Sequence, residues 1–482
     1  MSQRTRAILR AVGGVQTAVS AITLPSLLIG ISDGTWVAFA EGGLLMFATG
    51  LALMILGSGA KSELRLRDGF LVTALAWFTS SFTAACPLIL GPPHLSITDG
   101  VFEAVSGLTT TGATVIIGLE NLPKSVQFYR QIMQFFGGMG IVVLAVAILP
   151  TLRIGATQLT KGETTGPVKD TKLTPRIAET AKALWMIYVG LMVACMMSYW
   201  LAGMSFLDAV DHAMSTVATG GFSTSDASFA RFDSVLIELV AVLFMFLGSV
   251  SFALHFVAWR RGSLSAYMRD AEFRSFLVIW LGSVVVVTLG LWLYGGYGSP
   301  EFSLRHALFQ VTSNITTTGY TVTDFSAWPA FLPAFMMLIA MIGACAGSTT
   351  GGLKVIRVLI VAKLSAREVM RVIHPRGEFV VKLDRRAIPD SVLEAVAGFV
   401  AVFFFCFVSM SLLVMASGED LVTSFAAIAS SMANLGPSLG KGAATMLPLN
   451  DFATWVCTFA MIVGRLEVFT VLVLLTPAFW RE

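Results

Sequence analysis

The chain has 482 residues, of which 56% are hydrophobic and only 13% are charged, and its formal net charge is +3. Soluble domains carry about 25% charged residues, so this composition excludes an ordinary soluble enzyme and gives no basic surface for nucleic acid. It predicts an integral membrane protein with no nucleic-acid partner.

Apolar segments of about 20 residues cross a bilayer, and ten such segments occur in chain order. They cover residues 11–31, 36–58, 69–91, 128–150, 183–203, 235–259, 275–297, 329–346 with a ragged continuation to 362, 392–417 and 452–480. Four shorter apolar segments lie between them, at residues 98–109, 206–217, 303–315 and 420–432. At about 1.5 Å per residue these four are too short to cross, so each is predicted to dip into the membrane and return.

Lysine and arginine residues concentrate in alternate loops. They cluster at the N-terminus and around residues 61–67, 153–182, 260–274 and 354–386. Short basic loops stay in the cytoplasm, and an even number of spans leaves both termini on the same side. Both termini are therefore predicted to be cytoplasmic, with the four short segments entering from outside.

A short polar phrase follows each of the four short segments. The phrases are Thr109-Thr110-Thr111-Gly112, Ala218-Thr219-Gly220-Gly221, Thr316-Thr317-Thr318-Gly319 and Asn434-Leu435-Gly436-Pro437. They recur roughly every hundred residues, which indicates four copies of one unit. Irregular backbone at membrane depth is tolerated only where it is buried in protein or lines a wet cavity. A single Thr-Gly pair is usually an ordinary turn, but four in register predict a lined pore.

The predicted fold class is an all-α polytopic membrane protein, with four pseudo-repeats of helix, pore loop and helix around a central pore and two leading transmembrane helices. The corresponding boundaries are 1–60 for the lead-in and 61–155, 156–262, 263–365 and 366–482 for the four pore repeats. A short helix that enters from outside directs its carbonyl end toward the membrane centre. A ring of carbonyls can replace the hydration shell of a monovalent cation, and acidic residues such as Glu103 and Asp211 would add a negative outer mouth.

A glycine-rich segment at residues 343–352 interrupts the eighth span. Four glycines in ten positions disfavour a helix there, although small residues also permit a tight helix crossing. The segment lacks the Gly-Lys-Ser/Thr of a nucleotide-binding loop, so we reject that interpretation. Arg465 lies in the last span, where a charge is costly enough to indicate function; snorkelling, or a contact with Glu467, would also explain it.

These phrases, the glycine-rich segment and the arginine of the last span resemble the Trk/Ktr/HKT superfamily of potassium transporters, and above all its TrkH-type membrane subunits. The resemblance implies that K⁺ is the transported ion, with no covalent cofactor. It implies a potassium-binding filter formed by Thr110, Thr111, Gly112, Ala218, Thr219, Gly220, Thr317, Thr318, Gly319, Asn434, Leu435 and Gly436. It also implies a gate formed by Gly343, Gly347, Ser348, Thr349, Thr350, Gly351, Gly352 and Arg465.

The resemblance further implies a homodimer in the bacterial inner membrane, in contact with lipid and with a TrkA-like cytosolic nucleotide-binding regulator subunit. A basic inner surface could dock that subunit, although positive-inside topology explains the same residues: Lys354, Arg357, Lys363, Arg367, Arg371 and Arg376. The chain has no segment suited to ATP hydrolysis and is not expected to be an enzyme. The alternative function is a proton- or sodium-coupled potassium symporter that uses Glu467.

Overall fold

The computed structural model describes residues 2–60, 64–140, 177–295, 298–384 and 386–480. The first helices are Gln3–Val19, Thr23–Asp33, Trp36–Leu56, Leu66–Ala84, Cys86–Leu90 and Ile97–Leu108. They are followed by Lys124–Gly138, Ile177–Leu201, Phe206–Ala218, Val235–Ser249, Phe252–Arg261, Ser265–Arg269 and Ala271–Leu293. The last are Pro300–Ile315, Leu332–Ile342, Val355–Ile373, Asp390–Ala416, Leu421–Ala433, Asp451–Arg465, Val468–Leu475 and Pro477–Trp480. These ranges also contain two short antiparallel strands, Lys382–Leu383 and Arg386–Ala387, and the 3-10 helices Ser20–Ile22, Leu119–Asn121, Ser228–Arg231, Phe325–Ala327 and Gly440–Gly442.

Six of the described helical segments are long and apolar enough to cross a membrane. They are Gln3–Asp33, Trp36–Leu56, Arg67–Leu90, Ala181–Leu201, Ala271–Leu293 and Asp390–Ala416. Each coincides with a span predicted from the sequence, and the prediction of an all-α polytopic membrane protein is confirmed. The inner part of the predicted span 128–150 and the predicted boundary at 155/156 lie outside the described residues.

The two leading helices pack closely through small residues. A Cβ atom on Gly13 would lie 2.6 Å from the carbonyl oxygen of Gly50, so only glycine allows this approach of the two backbones. Arg4 reaches Asp68 in the following helix, with Nε 2.6 Å from a carboxylate oxygen. The lead-in is therefore attached to the rest of the molecule rather than separate from it.

Two spans predicted to be continuous are bent instead. The predicted span 235–259 turns by 96° between Val235–Ser249 and Phe252–Arg261, and the predicted span 452–480 turns by 109° after Asp451–Arg465. The first break contains Ser249 and Ser251 and the second contains Arg465 and Glu467, but the long apolar runs on both sides made each span look continuous. These two bends add to the interruption that was predicted at the glycine-rich segment, where the helix Leu332–Ile342 ends and the next begins at Val355.

Three longer helices, Lys124–Gly138, Val235–Ser249 and Asp451–Arg465, each cross the end of a short helix at a glycine. A Cβ atom on Gly137, Gly248 or Gly464 would lie within 3.0 Å of the carbonyl oxygen of Leu108, Val217 or Met432, respectively. In each case this carbonyl belongs to the final turn of the preceding short helix. The three glycines are therefore structurally equivalent and define corresponding positions along their helices.

Candidate functional site

Four short helices, here called half-helices one to four, are Ile97–Leu108, Phe206–Ala218, Pro300–Ile315 and Leu421–Ala433. Each begins at a side chain that accepts a hydrogen bond from the third residue beyond it; these capping residues are Ser96, Ser205, Ser299 and Asp420. A capping oxygen satisfies a backbone N–H that the first helical turn leaves free. The sequence therefore sets the outer start of all four half-helices in the same way.

The half-helices end in the same backbone conformation. The residues Thr110, Thr219, Thr317 and Asn434 have left-handed φ values of 54°, 51°, 51° and 54°. Two residues later come glycines with positive φ, namely Gly112, Gly221, Gly319 and Gly436, at 80°, 81°, 84° and 101°. We call the three-residue stretches 110–112, 219–221, 317–319 and 434–436 turn segments one to four.

This equivalence shifts the second copy by one residue from the sequence prediction. Ala218 is the last residue of its half-helix, and Gly221 rather than Gly220 has the positive φ. With this shift a serine precedes the positive-φ glycine by six residues in every copy; the four are Ser106, Ser215, Ser313 and Ser430. In all four copies the serine carbonyl accepts the N–H that follows the left-handed residue, at 2.8–2.9 Å.

The four turn segments form a closed ring of backbone contacts. A Cβ atom on Gly112 would overlap the carbonyl oxygen of Gly220 in the second segment, and one on Gly221 would overlap that of Thr318 in the third. The ring continues from Gly319 to the Leu435 carbonyl. It closes from Gly436 to the Thr111 carbonyl, with 2.7 Å between the Cβ position and the oxygen.

Each contact joins a positive-φ glycine to the carbonyl that precedes the glycine of the next segment. Because a side chain cannot occupy these positions, glycine is required both by φ and by space. The carbonyls of Thr111, Gly220, Thr318 and Leu435 therefore occupy one equivalent layer.

Hydroxyl and amide groups support the ring from within the protein. Thr109 and Thr111 share a hydrogen bond of 2.7 Å, and Thr316 and Thr318 share one of 2.8 Å at the equivalent position. Asn434 donates to the hydroxyl of Thr111 at 3.0 Å and so joins the fourth segment to the first. The first and third copies are thus the most alike.

The second segment is contacted by a residue that the sequence prediction missed. Gln134, fully buried in Lys124–Gly138, donates to the Gly220 carbonyl at 2.6 Å. Its side-chain oxygen accepts hydrogen bonds from Ser215 and Phe222. A signal was present in the sequence, because Gln131 and Gln134 lie at helical spacing in the predicted span 128–150, and Gln127 continues the pattern one residue before it.

The acidic residues expected at the outer mouth divide into buried and surface groups. Glu103 is fully buried and forms an ion pair with the equally buried Arg130, at 2.7 Å. Arg130 also lies over the ring of Phe222, 4.0 Å from its centroid. Asp211 is buried as well. Neither Glu103 nor Asp211 contributes to an exposed negative mouth, contrary to expectation.

The loops that follow the first two turn segments are joined by hydrogen bonds. Asp226 accepts from the N–H groups of Gly118 and Leu119 at 2.7 and 3.0 Å, and its own N–H donates to Glu120 at 3.0 Å. The Ser225 hydroxyl also donates to Glu120, and this hydrogen bond lowers the pKa of that carboxyl. Residues 118–120 of the first copy are therefore bonded directly to residues 225–226 of the second.

The glycine-rich segment 343–352 lies against the ends of three half-helices. The Thr349 hydroxyl contacts the Val217 carbonyl at 3.1 Å and the Thr219 hydroxyl at 3.0 Å. The N–H of Gly351 donates to the Thr317 hydroxyl at 2.8 Å, and a Cβ atom on Gly351 would overlap the Ala433 carbonyl. The segment thus occupies the level immediately beyond the ring.

Arg465 binds this segment directly. Its guanidinium donates to the Thr349 carbonyl at 2.8 Å and to the carbonyls of Gly137 and Gly138 at 2.6 and 2.9 Å. Arg465 therefore connects the glycine-rich segment to the helix that follows turn segment one.

Glu467 has a different partner among the charged residues. The carboxylate of Glu467 lies 2.7 Å from the guanidinium of the buried Arg357. Lys354 contacts Thr350 in the glycine-rich segment. Lys354 and Arg357 therefore face the interior and do not belong to the inner docking surface to which the sequence analysis assigned them.

Comparison with known proteins identifies the family of this chain. The family described as TrkH, cation transport protein, matches residues 36–481. The chain belongs to the TrkH family. As the resemblance indicated, it is a membrane-embedded transporter and not an enzyme.

Similar TrkH-family proteins match along nearly their whole length. The chain is 47% identical over 480 residues to the Trk system potassium uptake protein TrkH of Halomonas elongata, with 99% of both chains covered. It is 45% identical to the protein of that name from Escherichia coli K12, again with 99% of both covered. The crystal structure of the potassium transporter TrkH from Vibrio parahaemolyticus superposes with a TM-score of 0.90 at 44% identity, covering 99% of each chain.

Proposed function

We propose that this chain takes up potassium through a central pore in which the four turn segments form the ion-binding filter. The closed ring of glycine-to-carbonyl contacts carries the proposal, because such a ring holds uncharged oxygens at a fixed spacing. The names of its relatives supply the ion. K⁺ is the transported ion, and the filter consists of residues 110–112, 219–221, 317–319 and 434–436.

The chain is organised as a lead-in of residues 1–60 and four pore repeats, 61–155, 156–262, 263–365 and 366–482. The equivalent caps, left-handed residues and crossing glycines support this division. In a bacterial inner membrane with both termini in the cytoplasm, an inside-negative potential favours cation entry by about 2.3 kcal/mol per 100 mV. This energy suffices for uptake along a channel-like path.

The glycine-rich segment 343–352 is the gate, and Arg465 holds it closed. The contacts of Thr349 and Gly351 with half-helix ends support a position across the path beneath the filter. The positive charge of Arg465 adds an electrostatic barrier to cations there. Opening requires the segment to exchange these contacts for others.

A TrkA-like cytosolic regulator subunit docks on the inner face, and two copies of the chain form a homodimer. The helix Val355–Ile373 ends in a surface that supports docking. There, Arg371 lies among Val369, Val372 and Ile373, which are 59%, 82% and 59% exposed. A mixed basic and apolar surface of this kind suits a protein partner better than water.

The alternative, coupling of potassium to protons or sodium through Glu467, is less well supported. Arg357 already occupies the carboxylate at 2.7 Å, so a carrier cycle would have to break this pair at each turnover. We therefore favour the channel-like path.

The deciding experiment measures K⁺ and Na⁺ uptake separately by purified protein in lipid vesicles. Gly319→Ser places a side chain against the Leu435 carbonyl at a φ of +84°, so we expect the K⁺-to-Na⁺ uptake ratio to fall while the protein stays folded. Gly282→Ala is the control, because no atom lies within 4 Å of its Cβ position. An unchanged ratio in Gly319→Ser would remove the filter assignment.

A further inference from the structure

Gln134 breaks the four-fold equivalence of the ring. Its amide donates to the Gly220 carbonyl at 2.6 Å, while its oxygen accepts from the Ser215 hydroxyl at 2.7 Å and the Phe222 N–H at 3.1 Å. One side chain of the first repeat thus binds the second turn segment before, within and after its three residues.

The equivalent serines in two other repeats bind the residue that follows the turn segment of their own repeat. Ser106 donates to the carbonyl of Ala113 at 2.6 Å, and Ser313 donates to the carbonyl of Tyr320 at 2.7 Å. Ser215 instead donates to Gln134. The second segment has therefore exchanged a local support for one supplied by a neighbouring helix.

The carbonyl that Gln134 binds belongs to the equivalent layer of the ring. Its counterparts are the carbonyls of Thr111, Thr318 and Leu435, and among the described residues no side chain donates to any of these three. A backbone carbonyl has two lone pairs, so one that already accepts an amide hydrogen has only one left for a cation. The four oxygens of this layer are thus chemically unequal.

In the helices Val235–Ser249 and Asp451–Arg465, methionine occupies the position that corresponds to Gln134. Three residues before the crossing glycines Gly137, Gly248 and Gly464 stand Gln134, Met245 and Met461. Both methionines are fully buried. The helix position itself therefore tolerates an apolar side chain of similar length, and the glutamine is a local departure.

We propose that Gln134 is a positioning residue for potassium selectivity, which fixes the second turn segment and holds the Gly220 carbonyl at its place in the ring. This inference rests on the proposed function of the ring as a filter. Loss of the side chain leaves two buried donors without their acceptor and releases the segment. A ring with one free segment adapts to a smaller ion and discriminates less.

The test is Gln134→Met, which gives the first repeat the residue found at the equivalent positions. We expect the K⁺-to-Na⁺ uptake ratio in vesicles to fall by about threefold to tenfold, the factor that one net hydrogen bond carries. The ratio separates this effect from poor folding, because a loss of folded protein lowers both fluxes equally.

Gln127→Met is the matched control. Gln127 lies two turns earlier in the same helix and donates to the Leu119 carbonyl in the outer loop, outside the ring. We expect its uptake ratio to stay at the wild-type value. An equal fall in both variants would overturn the proposal, because the effect would then belong to the helix rather than to Gln134.

Failure of this inference is distinguishable from failure of the proposed function. A wild-type ratio in Gln134→Met together with a lowered ratio in Gly319→Ser would overturn the role of Gln134 alone. Wild-type ratios in both would overturn the filter itself. If Gln134→Met does not fold, Ser215→Ala decides instead, since it removes one hydroxyl of the same contact; an unchanged ratio there would also overturn the proposal.

Discussion

The ring of turn segments and the layer beneath it are held together by different forces. In the ring, neutral backbone groups touch at glycines, and the residues that close it have no room for a side chain. In the layer beneath, Arg465 and the Arg357–Glu467 pair make long-range polar contacts from flexible side chains. Backbone packing suits a structure whose dimensions must stay fixed, whereas polar side-chain contacts suit a structure whose hydrogen bonds must break and form again.

The largest expected effect comes from Gly221→Ala, which attacks the ring. The new methyl group would overlap the Thr318 carbonyl at a φ of +81°, and a left-handed conformation alone costs an alanine about 1–2 kcal/mol. We expect K⁺ uptake in vesicles to fall by more than about tenfold, since 1.4 kcal/mol already equals a factor of ten.

Gly190→Ala provides the comparison, because its Cβ position has no atom within 4 Å. It should transport normally. Normal uptake by Gly221→Ala would mean that the ring accommodates a side chain. The proposed difference in rigidity between the ring and the layer beneath it would then be wrong.

Deletion of residues 347–351 removes most of the glycine-rich segment, which forms the layer beneath the ring. If this segment closes the path, its removal takes away the obstruction and leaves the ring intact. We expect K⁺ flux through vesicles to rise while the K⁺-to-Na⁺ ratio is kept. Flux that is equal to or lower than that of the wild-type chain would count against a gate.

Arg465→Ala tests the same layer more gently. It removes the hydrogen bonds to Thr349, Gly137 and Gly138, and bonds to charged groups are worth about 1.5–3 kcal/mol each. We expect a rise in flux that is smaller than in the deletion. Arg371→Ala, at an exposed position on the inner face, should leave the basal flux unchanged; a similar rise there would show that positive charge in general, not this contact, restrains the flow.

The smallest effect is expected for Glu467→Gln, which keeps an oxygen near Arg357 but removes the charge. The free energy of unfolding should fall by about 1 kcal/mol, because the pair is partly open to solvent. K⁺ uptake should stay independent of an imposed pH gradient. If the wild-type chain responds to that gradient and this variant does not, the coupled-transport alternative is correct.

Much of the architecture could be predicted from the sequence because apolar length and capping residues are local signals. The predicted starts of the half-helices, 98, 206, 303 and 420, lie within three residues of the observed ones, and the capping residues Ser96, Ser205, Ser299 and Asp420 would have located them more closely. The register of the second copy was ambiguous because Gly220 and Gly221 both matched the pattern. Ser215 lies six residues before Gly221, as a serine does before the corresponding glycine of each other copy, and would have identified Gly221 as the equivalent residue.

The remaining features depend on packing between distant parts of the chain. The bends after Ser249 and Arg465 are flanked by long apolar runs and were therefore not predicted. The adjacent glycines, Gly248 and Gly464, contact the ends of half-helices about thirty residues earlier in the chain, so their role is not visible in the local sequence. The pair of Arg130 and Glu103 could not be predicted, since nothing in the local sequence joins two residues that are 27 positions apart. Gln134 was missed for the same reason.

The contact between Asn434 and Thr111 joins residues 323 positions apart. Such a long separation means that the last quarter of the polypeptide must enter the bilayer before the first turn segment can contact the fourth. During biosynthesis, a nascent chain that stops early therefore holds an open arc rather than a closed circle. A prematurely terminated product should be recognisable to quality-control proteases by its unsealed segments.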